Sequence, residues 1–155
     1  MNPDVTIVPL QERVSEFRDL VARADVVLDC SDNFATRHAL NRACVQSRKP
    51  LVSGAAIRFD AQLMVFDLAR ADSPCYSCLF PEGAEVEEVQ CSTMGVLAPL
   101  TGMVGAWQAL EAVKLLTGIG ESLAGRLVLV DAKSGEWRSV KVRKDPSCPV
   151  CARQE

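Results

Sequence analysis

An α/β fold, an open doubly wound sheet with helices against it, is what this sequence predicts, and three observations predict it. Short apolar runs of strand character alternate with stretches of helical periodicity, the connections between them are brief, and proline or glycine punctuates the ends. With 155 residues, 48% of them hydrophobic, the chain is long enough to bury a real core and reads as one globular domain.

In chain order, Val5 to Pro9 is a short β-rich run, and Val14, Phe17, Leu20, Val21 and Ala24 follow at the three-and-four spacing of an amphipathic helix. Asp25 to Cys30 is a continuous apolar run ending in polar residues, as expected of a parallel strand buried on both faces. Ser31-Asp32-Asn33 lies at its carboxyl end. Phe34 to Ser47 then reads as a helix, with Arg48 and Lys49 at the end that tolerates positive charge and Pro50 as its stop. Leu51 to Ile57 and Ala61 to Leu68 are the next strands, joined through Arg58-Phe59-Asp60.

Phe80 to Gln90 is acidic and irregular, an exposed loop closed by Cys91. From Gly95 to Leu116 runs the most apolar segment, read as a long, largely buried helix ending near Thr117-Gly118. Ala106, Leu110, Val113 and Leu116 form its core face, and Gly102 and Gly105 allow close approach. Leu127 to Asp131 and Trp137 to Arg143 are strands about the turn Lys133-Ser134-Gly135, a hairpin at a sheet edge.

Composition narrows the function. A net charge of -3 with no basic run argues against nucleic acid as a partner. No basic and then apolar leader opens the chain and no apolar run is long enough to span a membrane, so a cytoplasmic protein is expected. Seven cysteines, an odd number, fit a reducing compartment better than a secreted disulfide framework.

The most specific motif is a pair of pairs, Cys75-Tyr76-Ser77-Cys78 and Cys148-Pro149-Val150-Cys151. Two C-x-x-C units offer the four thiolates of a closed tetrahedral zinc site, which would pin the C-terminal tail to the middle of the chain. Free thiols, two disulfides or one redox dithiol are the alternatives. Asp32 is a candidate ligand for Mg²⁺ on a nucleotide phosphate, because magnesium takes one or two carboxylates plus phosphate oxygens. Its competing reading is a plain helix N-cap. Cys91, before a helix N-terminus, is a candidate nucleophile, although the neighbouring glutamates would raise its pKa. Cys30 and Cys44 read as small core residues and His38 as structural. Neither phosphate-loop pattern is present: Gly118 and Gly120 begin G-x-G-x-x-G, but its last position is Leu123.

Taken together, several of these segments resemble the ThiF/MoeB/HesA family, bacterial relatives of the ubiquitin-activating enzymes. They are Val27 to Asn33 with Arg37 and Asn41, Pro50 to Ala56, Pro74 to Cys78, and Cys91 with Gly95 to Pro99. Gln108 to Leu116 and Cys148 to Cys151 complete the set, and the likeness runs in order from Asn2 to the end. The resemblance implies the C-terminal portion of a Rossmann-like doubly wound sheet with a structural zinc site. It also implies an activity: MgATP-dependent adenylation of the C-terminal glycine of a ubiquitin-like sulfur carrier of the MoaD or ThiS kind, by a homodimer. On that basis Asp32 would hold Mg²⁺ and ATP phosphate, with Asn33, Arg37 and Ser53 lining the cleft. Cys91 would accept the activated acyl group, and Cys75, Cys78, Cys148 and Cys151 would bind zinc. Family members carry their glycine-rich nucleotide loop, with arginine and lysine contacts to the phosphates, in an N-terminal half that precedes the matching segments. The expectation is that this polypeptide alone does not adenylate, as a fragment, a truncated product or half of a split enzyme. A non-catalytic, zinc-stabilised module that binds a carrier or partner subunit is the competing expectation, and a plain zinc-stabilised structural domain is a third.

Overall fold

Pro50 ends the helix of Phe34–Ser47 (α2) in the way its position dictates. Arg48 takes the left-handed conformation at φ 52° and donates its N–H to the carbonyls of Cys44 and Val45, so the chain reverses into the strand Leu51–Ile57 (β2). At the other end Asn33 is the N-cap, its side chain accepting the N–H of Thr36 at 2.8 Å. The competing N-cap reading of Asp32 is therefore corrected: its neighbour does that work.

The computed structural model describes residues 2–11, 18–83 and 94–152. Besides α2 and β2 it contains helix α1 (Arg18–Arg23) and strands β1 (Val27–Asp29) and β3 (Asp60–Phe66). Helices α3 (Tyr76–Leu79) and α4 (Ala98–Thr117) follow, then strands β4 (Arg126–Asp131) and β5 (Glu136–Lys141). The five strands form one sheet in the order β1-β2-β3-β4-β5. Only β1 and β2 are parallel; the other three pairings are antiparallel. The expected doubly wound sheet is thus a mixed sheet, and the cause is connection length. A parallel crossover needs a dozen or more residues, whereas Ile57 and Asp60 face each other across the two-residue turn Arg58-Phe59, with Arg58 at φ 51°.

Alternation along the strands divides the core into two layers. Leu51, Met64 and Phe66 face α1, α2, Tyr76 and the paired cysteines. Val52, Leu63 and Val65 face the opposite way, toward Trp107 and Leu115 of α4, and Ala61 and Val130 meet Leu100 and Val104. The sheet carries helices on both faces, as the fold class requires.

Several elements differ from expectation. Val5 to Pro9 forms no strand, and Val5, Ile7, Val8 and Leu10 are exposed. The first helix covers Arg18–Arg23, and Val14 and Phe17 of the expected span lie outside the described residues. In β1 Leu28 is exposed and Asp29 is the residue buried to 1%, so this is not a strand buried on both faces. Cys30 is exposed, not core, whereas Cys44 is fully buried and burial pushes its thiol up to about 12.

The largest correction concerns α4. Its buried residues are Leu100, Val104, Gln108, Glu111 and Ala112, while Leu110, Val113 and Leu116 are more than half exposed. Gly102 and Gly105 open onto free space. Its end is as expected, with Gly118 at φ 70° as the C-cap. The β4–β5 hairpin is also as expected. Asp131 holds its turn by accepting the N–H of Lys133 at 2.8 Å and the hydroxyl of Ser134 at 2.7 Å, and the Trp137 ring packs against that of Trp107, tilted by 45° with centroids 5.1 Å apart.

Candidate metal centre and adjoining cleft

The two C-x-x-C units, far apart in sequence, meet on the α2 side of the sheet. Cys75 precedes α3, which packs Tyr76 into the core, and the turn at Cys148 closes with the N–H of Ala152 donating to the Cys148 carbonyl at 3.0 Å. All four Sγ atoms lie within 4.8 Å of one another. The separations Cys75–Cys148, Cys75–Cys78 and Cys78–Cys151 are 3.7, 3.9 and 3.4 Å.

These distances exclude one alternative and suit another. A disulfide needs sulfurs about 2.05 Å apart, so none is formed. A tetrahedron of sulfurs about 2.3 Å from a central zinc has edges of about 3.8 Å, and the three separations of 3.4 to 3.9 Å lie near that length. The surroundings suit thiolates too. The N–H groups of Cys75 and Asp145 point at Cys78 Sγ from 3.4 and 3.5 Å. The Cys75 contact and these donors lower the Cys78 thiol to about 5, while its Cys78 contact and burial push Cys75 up. Metal ligation needs thiolates, so a cation at the centre would displace the thiol protons. The cluster can hold a metal.

Around it lies a second layer that the sequence did not reveal. Asn41, fully buried on α2, accepts the Tyr76 N–H with Oδ1 at 2.9 Å and donates Nδ2–H toward Ser77 Oγ at 3.1 Å and Cys75 Sγ at 3.7 Å. His38 meets Tyr76 edge-on at 5.3 Å, with Nδ1 3.4 Å from Ser77 Oγ and 3.6 Å from Glu82, which also pairs with Arg42. His38 therefore has the structural setting expected of it, and burial lowers its pKa.

The cleft residues gather at the carboxyl end of β1, around a group sequence reasoning missed. Asp29 accepts the N–H and hydroxyl of Ser31 at 3.0 and 2.6 Å and the Ser53 hydroxyl at 2.8 Å. Arg37 donates to the Ser31 carbonyl at 2.7 Å, with Nε 4.0 Å from Asp29. That Nε and the Tyr76 hydroxyl are buried without a hydrogen bond among the described residues. From α4, Gln108 donates Nε2–H to the carbonyls of Asp29 and Val52 at 2.8 and 3.2 Å. Asp32 alone of the four cleft candidates is exposed, its Oδ1 accepting from Asn33 at 3.3 Å. So Asn33, Arg37 and Ser53 spend their hydrogen bonds within the protein: Asn33 accepts the Thr36 N–H, Arg37 donates to the Ser31 carbonyl and Ser53 to Asp29. The available signal for Asp29 was a carboxylate closing an apolar strand run, and for Gln108 a polar residue four positions after Val104 in an apolar helix. Cys91 lies outside the described residues.

Comparison with known proteins identifies the family. The sequence is 48% identical over 153 residues to the sulfur carrier protein ThiS adenylyltransferase of Escherichia coli (strain K12), covering 97% of this chain and 60% of that protein. It is 45% identical over 158 residues to the adenylyltransferase and sulfurtransferase MOCS3 of Drosophila virilis, covering 99% of this chain and 35% of that one. The chain therefore spans at most about 60% of the length of these relatives. Among solved structures, E. coli MccB with ATP superposes with a TM-score of 0.71 at 18% identity, over 94% of this chain and 45% of that one, a likeness of fold alone. The ThiF family model matches residues 1–150, and the chain belongs to the ThiF family.

Proposed function

We propose that this chain is part of an ATP-dependent adenylyltransferase that activates the C-terminal glycine of a ubiquitin-like sulfur carrier of the MoaD or ThiS kind, for molybdopterin or thiamine biosynthesis. The observation that carries this reading is the 48% identity across 97% of the chain to a protein named for adenylating ThiS. A carboxylate is a poor electrophile until AMP converts it to an acyl phosphate, and that conversion is what bound MgATP would supply.

The chain's own residues divide the work. Asp32, exposed beyond the carboxyl end of β1, is placed where ligands of such sheets bind and is free to face a magnesium ion on the phosphates. Asn33 starts α2 at a fixed angle, and Arg37 and Ser53, both bound to the Asp29 cluster, hold the loop beneath Asp32 in one shape. Preorganisation of this kind is how a protein contributes to phosphoryl chemistry. Cys91 is the acceptor of the activated acyl group. Zinc on Cys75, Cys78, Cys148 and Cys151 is structural, since four thiolates leave no open position for substrate. The active form is a homodimer in the cytoplasm. Neither phosphate-loop glycine pattern occurs in these 155 residues, so this polypeptide by itself is not expected to adenylate.

Exchange of pyrophosphate into ATP, with ThiS- or MoaD-type carriers added, tests the reading. No exchange by this chain alone is expected, and exchange together with a protein supplying the phosphate-loop half. Exchange by the chain alone would overturn that expectation. Replacing Cys91 by serine should abolish any carrier-linked covalent species. One observation favours a second reading, a non-catalytic module that grips a carrier: Asn33, Arg37 and Ser53 spend hydrogen bonds inward. Carrier binding by this chain, with no exchange in any reconstituted mixture, would select it.

A further inference from the structure

We propose that Asn41 is the outer donor of the four-cysteine centre, fastening it to α2, so that metal loading sets the position of Arg37 one turn earlier on that helix. The inference rests on reading the four cysteines as a metal centre.

Asn41 has no exposure, and both ends of its amide are spent on three consecutive residues, 75 to 77. Oδ1 takes the Tyr76 N–H, which leaves Nδ2 with only donors to give, and these point to Ser77 Oγ and Cys75 Sγ. A side chain confined in this way cannot turn its acceptor toward the sulfur without leaving the Tyr76 N–H unpaired in the interior. Its polarity therefore suits a thiolate at Cys75: the N–H adds a partial positive charge at a sulfur that metal binding makes negative. Outer partners of this type fix the orientation and basicity of a ligand.

The same helix reaches the cleft. Arg37 and Asn41 stand four residues apart, on one face of α2. His38, the residue after Arg37 on α2, meets Tyr76 edge-on at 5.3 Å and lies with Nδ1 3.4 Å from Ser77 Oγ. Residues 75 to 77 thus touch α2 at Asn41 and at His38, the neighbour of Arg37, and Arg37 in turn holds the Ser31 carbonyl. Ordering of the first C-x-x-C unit by a metal is transmitted to the loop that presents Asp32 by packing and hydrogen bonds alone.

The test uses the full chain loaded with Co²⁺, whose thiolate charge-transfer bands report the electron density at sulfur, in wild type, Asn41→Ala and Asn41→Asp. The second variant keeps the size of the side chain and the acceptor for Tyr76 N–H, so it remains informative if the first does not fold. Loss of the N–H makes the sulfur more electron-rich, so both variants should show bands moved to longer wavelength and metal affinity lower by about 10- to 100-fold, in competition with a chelator. Hydrogen exchange should show amides 33–41 better protected in the loaded wild type than in the stripped protein, by more than amides 126–141, and this excess should vanish in the variants. Unshifted bands with unchanged affinity, or an excess that persists without the Asn41 amide, would overturn the proposal. Weakening confined to Asn41→Asp, with Asn41→Ala folded and unaffected, would also overturn it, as a charge effect. Failure of the wild type to take up Co²⁺ would overturn the metal reading itself, and the proposal with it.

Discussion

Gly54 of β2 and Gln108 of α4 are in such close contact that a Cβ on Gly54 would lie 2.5 Å from Gln108 Cδ and 2.8 Å from Val104 Cγ1. This is the close approach the sequence suggests for Gly102 and Gly105, transferred to the strand. It brings a helix amide against the carbonyls of Asp29 and Val52, beneath the cleft. Gly54→Ala should therefore destabilise the chain by about 1–3 kcal/mol, the usual cost of overpacking, read as a lower urea midpoint with an unchanged m-value.

Asn33 and Asp32 separate a structural role from a candidate binding role. Asn33→Ala removes the N-cap of α2 and should cost about 1 kcal/mol. Asp32→Ala, at an exposed site, should change stability by less than about 0.5 kcal/mol. In a reconstituted exchange assay the order reverses, with Asp32→Ala the more damaging. Equal effects of the two substitutions on stability would contradict the capping geometry.

Asp29 is expected to be the most sensitive of the cleft residues. Asp29→Ala strands the hydroxyls of Ser31 and Ser53 and leaves Arg37 buried without its carboxylate, a loss of about 3–5 kcal/mol by analogy with broken buried ion pairs. Denaturant unfolding of Asp29→Ala beside Asp29→Asn, which keeps the shape and one acceptor, should show the larger loss in the alanine variant.

Acid should destabilise the protein partly through His38. Burial holds its folded pKa below the ordinary value of 6.5. The unfolded chain therefore binds the proton first, and stability present above pH 6.5 is lost as pH falls toward the folded pKa. Urea midpoints of wild type and His38→Gln, compared between pH 7.5 and 5, should fall less steeply in the variant; parallel curves would remove His38 from the account.

Much of this was legible in the sequence where short-range rules govern. The span of α2, its stop at Pro50, the terminal hairpin and the spacing of the two cysteine pairs all follow from capping, turn chemistry and ligand count. The orientation of α4 was not, because the helix is apolar nearly all round and its inward face is marked by Gln108 and Glu111. Glu111 is buried because it serves Lys114 at 2.6 Å and the N–H of Leu123 at 2.8 Å, partners no periodicity identifies. Strand direction was lost for a similar reason. Arg58-Phe59 carries no Asn-Gly or Asp-Gly signature, and a two-residue turn held with Arg58 in the left-handed region is invisible without coordinates. Asp29 was hidden in an apolar run and Asn41 in a helix of mixed polarity, where a polar residue is informative only once its partners are known.

An ion held by all four sulfurs would close residues 75–151 into a ring that contains α4 and both strands of the terminal hairpin. Closing so long a loop removes much of the freedom of the unfolded chain. It would also give the protein a mechanical property that hydrogen bonding alone does not confer. A single peptide-bond cut within 79–147 would leave a nicked molecule whose two pieces stay tethered at the metal, and they would be able to part only after the thiols release it.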